Sequence, residues 1–230
     1  MLKIHEELLQ GSDEWHAARL GLLTASEMKH IITPAKLAYA QNDKERSHLY
    51  ELLAQRITGW VEPFYISDDM LRGQVDEIDA RAVYAAKYAP VVEAGFITND
   101  KWGFTLGYSP DGLVGTDGLI ECKSRRAKYQ IETILANEMP GDYLIQVQTG
   151  LLVSERKWCD FITYSAGLPM MTHRVYADPV VQEAIVKAAA HFHSKLDAML
   201  VTYNDRLKDA TMRLIPTERR AHEQEMEMTA

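Results

Sequence analysis

The chain has 230 residues, of which 47% are hydrophobic and 25% charged, with 13 Gly and 8 Pro. That composition excludes a disordered or collagen-like chain, and the length allows one sizeable core. The formal net charge of −8 argues against a general nucleic-acid coat, yet leaves room for an acidic metal site beside a local basic patch.

Along the chain, Met1–Gln10 is interrupted by Glu6 and Glu7, where a signal peptide needs an unbroken apolar stretch. Ser12 caps a short helix that Gly21 ends, and Thr24 with Glu27 has the form of a capping box opening a second helix that Pro34 closes. Leu49, Leu52, Leu53 and Ile57 have helical spacing over Glu45–Ile57, with Gly59 as the stop. Residues 68–89 read as an amphipathic helix whose stripe of Leu71, Val75, Ile78, Ala82 and Ala85 faces a core. Strands are expected at Val91–Thr98, Trp102–Ser109 and Gly118–Ser124, with turns at Asn99-Asp100 and Asp117-Gly118. Helices follow at Ala127–Asn137 and Gly141–Val153, then strands at Lys157–Tyr164 and Met170–Tyr176. A long helix from Pro179 to Leu207 carries Ile185, Ala188, Phe192, Leu196, Met199, Tyr203 and Leu207 on one side. The order predicts an α/β fold with a central mixed five-stranded sheet flanked by helices: a single domain over 1–207 and a mobile tail over 208–230. No apolar run approaches the ~18 residues of a membrane span. Two cysteines, Cys122 and Cys159, are too few for a disulfide scaffold or a four-cysteine metal centre. A reduced, cytoplasmic protein is expected.

The chemistry concentrates in Ser109-Pro110-Asp111-Gly112 and Glu121-Cys122-Lys123. In a strand Glu121 and Lys123 share a face while Cys122 points the other way. An antiparallel return brings Asp111 beside Glu121. Two carboxylates and a lysine then converge, an oxygen donor set suited to Mg²⁺ or Mn²⁺ and to phosphodiester hydrolysis. Gly73 and Glu77 lie four apart on the long helix, which places a third carboxylate beside the site. Lys123, Arg125, Arg126 and Lys128 form the densest basic run of the chain. Ser26, in the first turn of its helix, and Arg19 suit a phosphate. Each signal alone has a plainer reading: an Asp-Gly turn, a solvated strand face, a helix-flank charge, a solubilising arginine pair, a helix-start serine. Their combination favours a nuclease. His191 and His193 stand two apart on a helix and do not share a direction, and no zinc-protease, serine-hydrolase or phosphate-loop motif is present.

Trp15-His16-Ala17-Ala18-Arg19-Leu20-Gly21, Thr24-Ala25-Ser26-Glu27, Gly73-x-x-x-Glu77-x-Asp79-Ala80-Arg81, Ser109-Pro110-Asp111-Gly112-Leu113, Glu121-Cys122-Lys123 and Gln146-Val147-Gln148 follow one another in this order. Together they resemble the lambda exonuclease and YqaJ-type viral recombinase nucleases of the PD-(D/E)XK superfamily. The resemblance implies a PD-(D/E)XK core and a processive 5′→3′ exonuclease that degrades one strand of linear duplex DNA. It also implies Mg²⁺ or Mn²⁺, two ions with substrate bound, a ring-shaped homotrimer and a single-strand annealing protein as partner. Asp111 and Glu121 correspond to metal ligands, Lys123 to the residue that activates water, and Glu77 to a further acidic ligand. Arg19, Ser26 and Ser109 correspond to a 5′-phosphate pocket, while Arg125 and Arg126 stand where the lambda enzyme has an apolar, proline-containing stretch. Of the glutamines, about 200° apart on a helix, Gln148 shares a face with leucines and Gln146 with Thr149 and Gly150, so Gln146 is expected in the site. A restriction-type endonuclease and an inactive DNA-binding recombination scaffold are the alternatives.

Overall fold

The structure, a computed structural model, describes residues 1–63 and 65–219. In chain order they form β1 (Leu2–His5), α1 (Asp13–Arg19), β2 (Leu23–Thr24), β3 (Ile32–Thr33), β4 (Ala38–Tyr39), α2 (Asp43–Thr58), α3 (Asp68–Lys87), β5 (Phe96–Asn99), β6 (Leu106–Tyr108), β7 (Gly112–Val114), β8 (Gly118–Ser124), α4 (Ala127–Ala136), α5 (Leu144–Ser154), β9 (Trp158–Tyr164), β10 (Met171–Tyr176) and α6 (Pro179–Leu207). Side-chain acceptors set the helix starts: Ser12 takes the N–H of Trp15, Asn42 those of Lys44 and Glu45, and Ser67 that of Met70. Gly59 closes α2 at φ 64°, in the left-handed region that favours glycine.

The fold is mixed α/β, as expected, but the strands do not make one five-stranded sheet. They form two four-stranded sheets, ordered β1-β5-β6-β2 and β10-β9-β8-β7, and a two-stranded ribbon of β3 and β4. In the second sheet β8 runs parallel to β9 over its whole length, from Gly118 opposite Trp158 to Ser124 opposite Tyr164, and antiparallel to β7. The division has a local cause. β6 belongs to the first sheet and β7 to the second, so Ser109-Pro110-Asp111 is the corner between them. Pro110 has no N–H with which to continue a ladder.

Other expectations need correction. The Thr24–Pro34 helix is only a 3-10 turn at Met28–His30, because Glu27 reaches back to both the N–H and the hydroxyl of Thr24 while Thr24 stays in a strand beside β6. The strands expected at Val91–Thr98 and Trp102–Ser109 are shorter, and β1 and β7 had no expected counterpart. The α3 stripe is reversed: Leu71 is 50% exposed and Val75 and Ile78 each 60%, while Asp76, Ala80 and Tyr84 face inward. The α6 stripe is buried as far as Leu196, but Tyr203 and Leu207 are exposed.

The chain divides into two units, Met1–Leu196 and a second beginning at Asp197. Residues 208–219 carry no helix or strand, and the rest of the expected tail lies outside the described residues. In the first unit α3 packs on β8 and β9, and Ala80 and Tyr84 join Val114, Ile120, Cys122 and Ile162 in one buried cluster. α5 packs on β5 and β6 of one sheet and on β9 of the other, and is buried along most of its length, which is why its sequence is apolar nearly all round. At Gly150 a Cβ would lie 2.7 Å from the Tyr108 ring, so glycine permits this approach. In β9 the buried Asp160 takes both guanidinium N–H groups of Arg174 at 2.7 Å and the Tyr84 hydroxyl at 2.6 Å. Arg174 in turn lies 3.8 Å over the Trp158 ring. Among the described residues no helix is long and apolar enough to cross a membrane.

Candidate active site

The antiparallel pairing of β7 with β8 sets Gly112 opposite Ile120, and so brings Asp111 beside Glu121. Asp111 Oδ2 accepts the backbone N–H of Cys122 at 2.6 Å, which orients the carboxylate and leaves its second oxygen for a cation. Glu121 is 1% exposed. Its Oε1 accepts Lys123 Nζ at 2.7 Å and Gln146 Nε2 at 2.6 Å, and its Oε2 accepts the Tyr108 hydroxyl at 2.9 Å. Lys123 Nζ also lies 5.6 Å from the centre of the Tyr143 ring. Glu77 approaches from α3, with Arg81 one turn further on at 3.8 Å and itself donating to the backbone oxygen of Asp111 at 3.0 Å. The structure thus brings Asp111, Glu121, Lys123, Glu77 and Gln146 together. Gln148 is buried elsewhere, holding the Tyr176 carbonyl and the Asp178 N–H.

Electrostatics mark this cluster as incomplete. Burial, reinforced by the Glu121 and Glu77 charges, pushes the Asp111 carboxyl well above the usual carboxylate range. Burial also raises Glu77, with Arg81 opposing and Glu121 adding to the shift. Burial pulls on Lys123 in the other direction, but Glu121 and Asp111 outweigh it, so the lysine stays a cation. Buried carboxylates that raise one another's pKa are short of positive charge, and an oxygen-ligated divalent cation matches them in charge and donor type. Among the described residues no group of three or more His, Cys, Asp or Glu side chains is arranged to hold one ion. Fit to a metal therefore rests on one or two carboxylates, which Mg²⁺ accepts when waters and phosphate complete its shell.

A second cluster lies on the other side of the Ser109–Asp111 corner. Arg19 donates to Ser109 Oγ at 2.9 Å and to Thr24 Oγ1 at 3.4 Å, and Ser26 Oγ is 3.3 Å from Thr24 Oγ1. The Trp15 indole N–H reaches Ser109 Oγ at 3.1 Å, and the Arg19 guanidinium stacks 4.3 Å from the indole ring. Ser26 sits in a loop between strand and 3-10 turn, so the pocket draws on side chains rather than a helix start. Burial lowers the Arg19 pKa, with Glu27 opposing; these hydrogen-bond partners are neutral hydroxyls. A cation in that setting suits an anionic ligand. A groove of about 880 Å³ is lined by Trp15, Glu77, Arg81 and Pro110, and so reaches an outer member of each cluster.

Residues 14–157 match the YqaJ-like viral recombinase domain. The chain belongs to this family. The YqaJ-like domain spans every residue of both clusters. An alkaline exonuclease from Laribacter hongkongensis, LHK-Exo, is 32% identical, with a TM-score of 0.77 over 86% of this chain and 98% of that one. A structure of LHK-Exo in complex with dAMP matches at 29% identity, 86% and 98% coverage and a TM-score of 0.73. A phage-related exonuclease from Haemophilus somnus 129PT shares the fold at 15% identity and a TM-score of 0.52, over 78% of this chain and 96% of that one. No curated protein matches the chain. These similarities support a phage-type nuclease.

The basic run of this YqaJ-like chain is less free than its sequence suggests. Arg126 donates to Asp69 at 2.8 Å. Arg125 lies 5.3 Å from the Tyr129 ring centre and 3.5 Å from the Tyr143 hydroxyl. Sequence reasoning missed Tyr108, Trp15 and Arg81 as partners of the two clusters. Trp15 and Arg81 each stand one helical turn from a residue already singled out, Arg19 and Glu77, which is a usable signal. Tyr108 sits in a short buried strand, and nothing in its spacing marks it.

Proposed function

We propose that this protein is a Mg²⁺-dependent exonuclease that removes mononucleotides 5′→3′ from one strand of linear duplex DNA, leaving 3′ single-stranded overhangs for recombination by strand annealing. The observation that carries this reading is the pairing, across one corner of chain, of an acidic cluster with a half-buried cationic pocket. Asp111 and Glu121 would hold the metal, with Glu77 as a further acidic group. When bound, a divalent ion polarises the scissile phosphate and lowers the pKa of water. Lys123, held as a cation by Glu121, is placed to orient the attacking water and to stabilise charge on the phosphate. Gln146 and Tyr108 fix the Glu121 carboxylate. Arg19, Ser26 and Ser109 bind the terminal 5′-phosphate, and Arg125 and Arg126 lie along the track of the duplex.

Attack by water on phosphorus breaks the bond to the 3′-oxygen of the terminal nucleotide. That nucleotide leaves as a 5′-phosphomononucleotide, and the shortened strand keeps a new 5′-phosphate, the ligand the pocket needs for the next cycle. The dAMP bound to LHK-Exo is a nucleotide of the kind this reaction releases. Family membership supports a homotrimeric ring and an annealing partner.

The test compares initial rates on linear duplexes with 5′-phosphate or 5′-hydroxyl ends and on closed circles, with Mg²⁺ or EDTA. Expected are Mg²⁺-dependent release of mononucleotides, inert circles and a preference of about tenfold or more for phosphate ends, from charge-assisted hydrogen bonds of roughly 1.5–3 kcal/mol each. Ready cutting of circles would favour the endonuclease. No cleavage under any condition would favour a binding scaffold.

A further inference from the structure

Behind the Arg19 pocket a line of polar side chains runs back to α2. Glu27 Oε2 accepts the Thr24 hydroxyl at 2.9 Å and the Thr24 N–H at 3.4 Å. On its far side stands His48, whose side chain is 4% exposed, with Nε2 3.6 Å from Glu27 Oε2 and Nδ1 3.0 Å from Glu51 Oε2. Nε2 is buried and makes no hydrogen bond in this state, so Glu27 is the acceptor it faces. The ring is stacked 5.7 Å from Phe192 and lies 5.6 Å from His30, which fixes its plane. The two ring nitrogens thus face two different carboxylates, Nδ1 that of Glu51 at hydrogen-bond distance and Nε2 that of Glu27 at 3.6 Å.

Glu27 is also an anion close enough to act on Arg19. Turned toward Arg19, it would neutralise the charge that a terminal phosphate requires. Turned toward Thr24 and His48, it leaves the guanidinium for the phosphate and keeps Thr24 Oγ1 between Arg19 and Ser26. We propose that His48, braced by Glu51, is a positioning residue that holds Glu27 away from Arg19 and so sets the pocket's preference for 5′-phosphate ends. This rests on the exonuclease reading above. His48 touches neither the acidic cluster nor the groove, and its effect passes through Glu27 alone.

The two ring nitrogens can be tested apart. In His48→Asn the side-chain amide replaces Nδ1 and keeps a polar partner for Glu51 but leaves nothing at the Nε2 position that faces Glu27. In His48→Gln the longer amide places a donor near the Nε2 position. Steady-state rates on 5′-phosphate and 5′-hydroxyl ends, with a melting curve for each variant, are the measurement. His48→Asn is expected to raise KM for phosphate ends about tenfold, with a smaller change in kcat, and to collapse the phosphate preference. His48→Gln is expected to keep most of that preference. Adding Glu27→Gln to His48→Asn removes the competing charge and is expected to restore most of it, which a purely structural role for His48 does not predict. An Asn variant with wild-type preference, or a double variant as impaired as the single one with unchanged melting, overturns the proposal. A wild-type enzyme indifferent to the 5′-phosphate overturns the pocket itself and this brace with it, an outcome visible before any variant is made.

Discussion

Two buried acids on neighbouring strands of one sheet have opposite surroundings. Asp160 on β9 is closed on every side: a bidentate Arg174, the Tyr84 hydroxyl and a tryptophan stacked on the arginine. Glu121 on the adjacent β8 is ringed by Lys123, Gln146 and Tyr108, but Asp111 and Glu77 add negative charge to the same space. The first is a finished ion pair that ties α3 to β9 and β10. The second is an excess of charge held together by the surrounding fold. A buried carboxylate by itself therefore says little; whether its charge is answered within the chain separates scaffold from chemistry.

That contrast can be broken from either side. The largest effect is expected on turnover: Asp111→Ala and Glu121→Ala should each lower Mg²⁺-dependent hydrolysis about a thousandfold or more. Lys123→Ala should lose most turnover yet show the same Mg²⁺-induced rise in melting temperature that is expected of the wild type. Near-normal cleavage by Asp111→Ala would remove the distinction between the two acids. Next, Arg174→Ala should leave the cleavage rate per folded molecule unchanged but destabilise the protein by about 2–3 kcal/mol in denaturant melts. That lies below the ~3–5 kcal/mol of a fully enclosed pair, because the Arg174 side chain is 45% exposed. In the opposite direction, Asp111→Asn should stabilise the metal-free protein by about 1 kcal/mol, the usual exchange of stability for activity at a charged site. A destabilised Asn variant would place Asp111 with Asp160 among the structural acids. The smallest effect is expected outside both clusters. Neutralising Arg125 should flatten the salt dependence of duplex binding by a log–log slope of roughly 0.9, the value for one phosphate contact. Arg126→Ala should change it less, since that side chain already spends its charge on Asp69.

The sequence made the acid cluster legible because its residues follow strand periodicity and a short antiparallel return, both local rules. Gln146 was separable from Gln148 by helical angle alone, and the geometry places the first on Glu121 and the second on the Tyr176 carbonyl. The single sheet failed at Pro110, where the chain changes sheet, an event that no periodicity reports. The α3 stripe failed for a different reason. Its inward face carries Asp76, which accepts the Ser124 hydroxyl at 2.5 Å, and Tyr84, which serves Asp160. A helix that buries polar groups against polar partners looks inside out when only apolar residues are counted. Tyr108 and His48 were invisible because no motif or periodicity marks them: one sits in a short buried strand, and the other meets Glu27 from a separate helix.

The corner at Ser109-Pro110-Asp111 works as a ruler. On the proposed reading, Ser109 belongs to the pocket that would grip a strand end, and Asp111 to the centre that would cut it. Two peptide steps cannot separate them by more than about 7 Å. The backbone span between the proposed grip and the proposed cut would thus be bounded by covalent geometry and stiffened by proline. If both roles hold, such an enzyme would count in steps of one length, whatever the sequence of the strand it is fed.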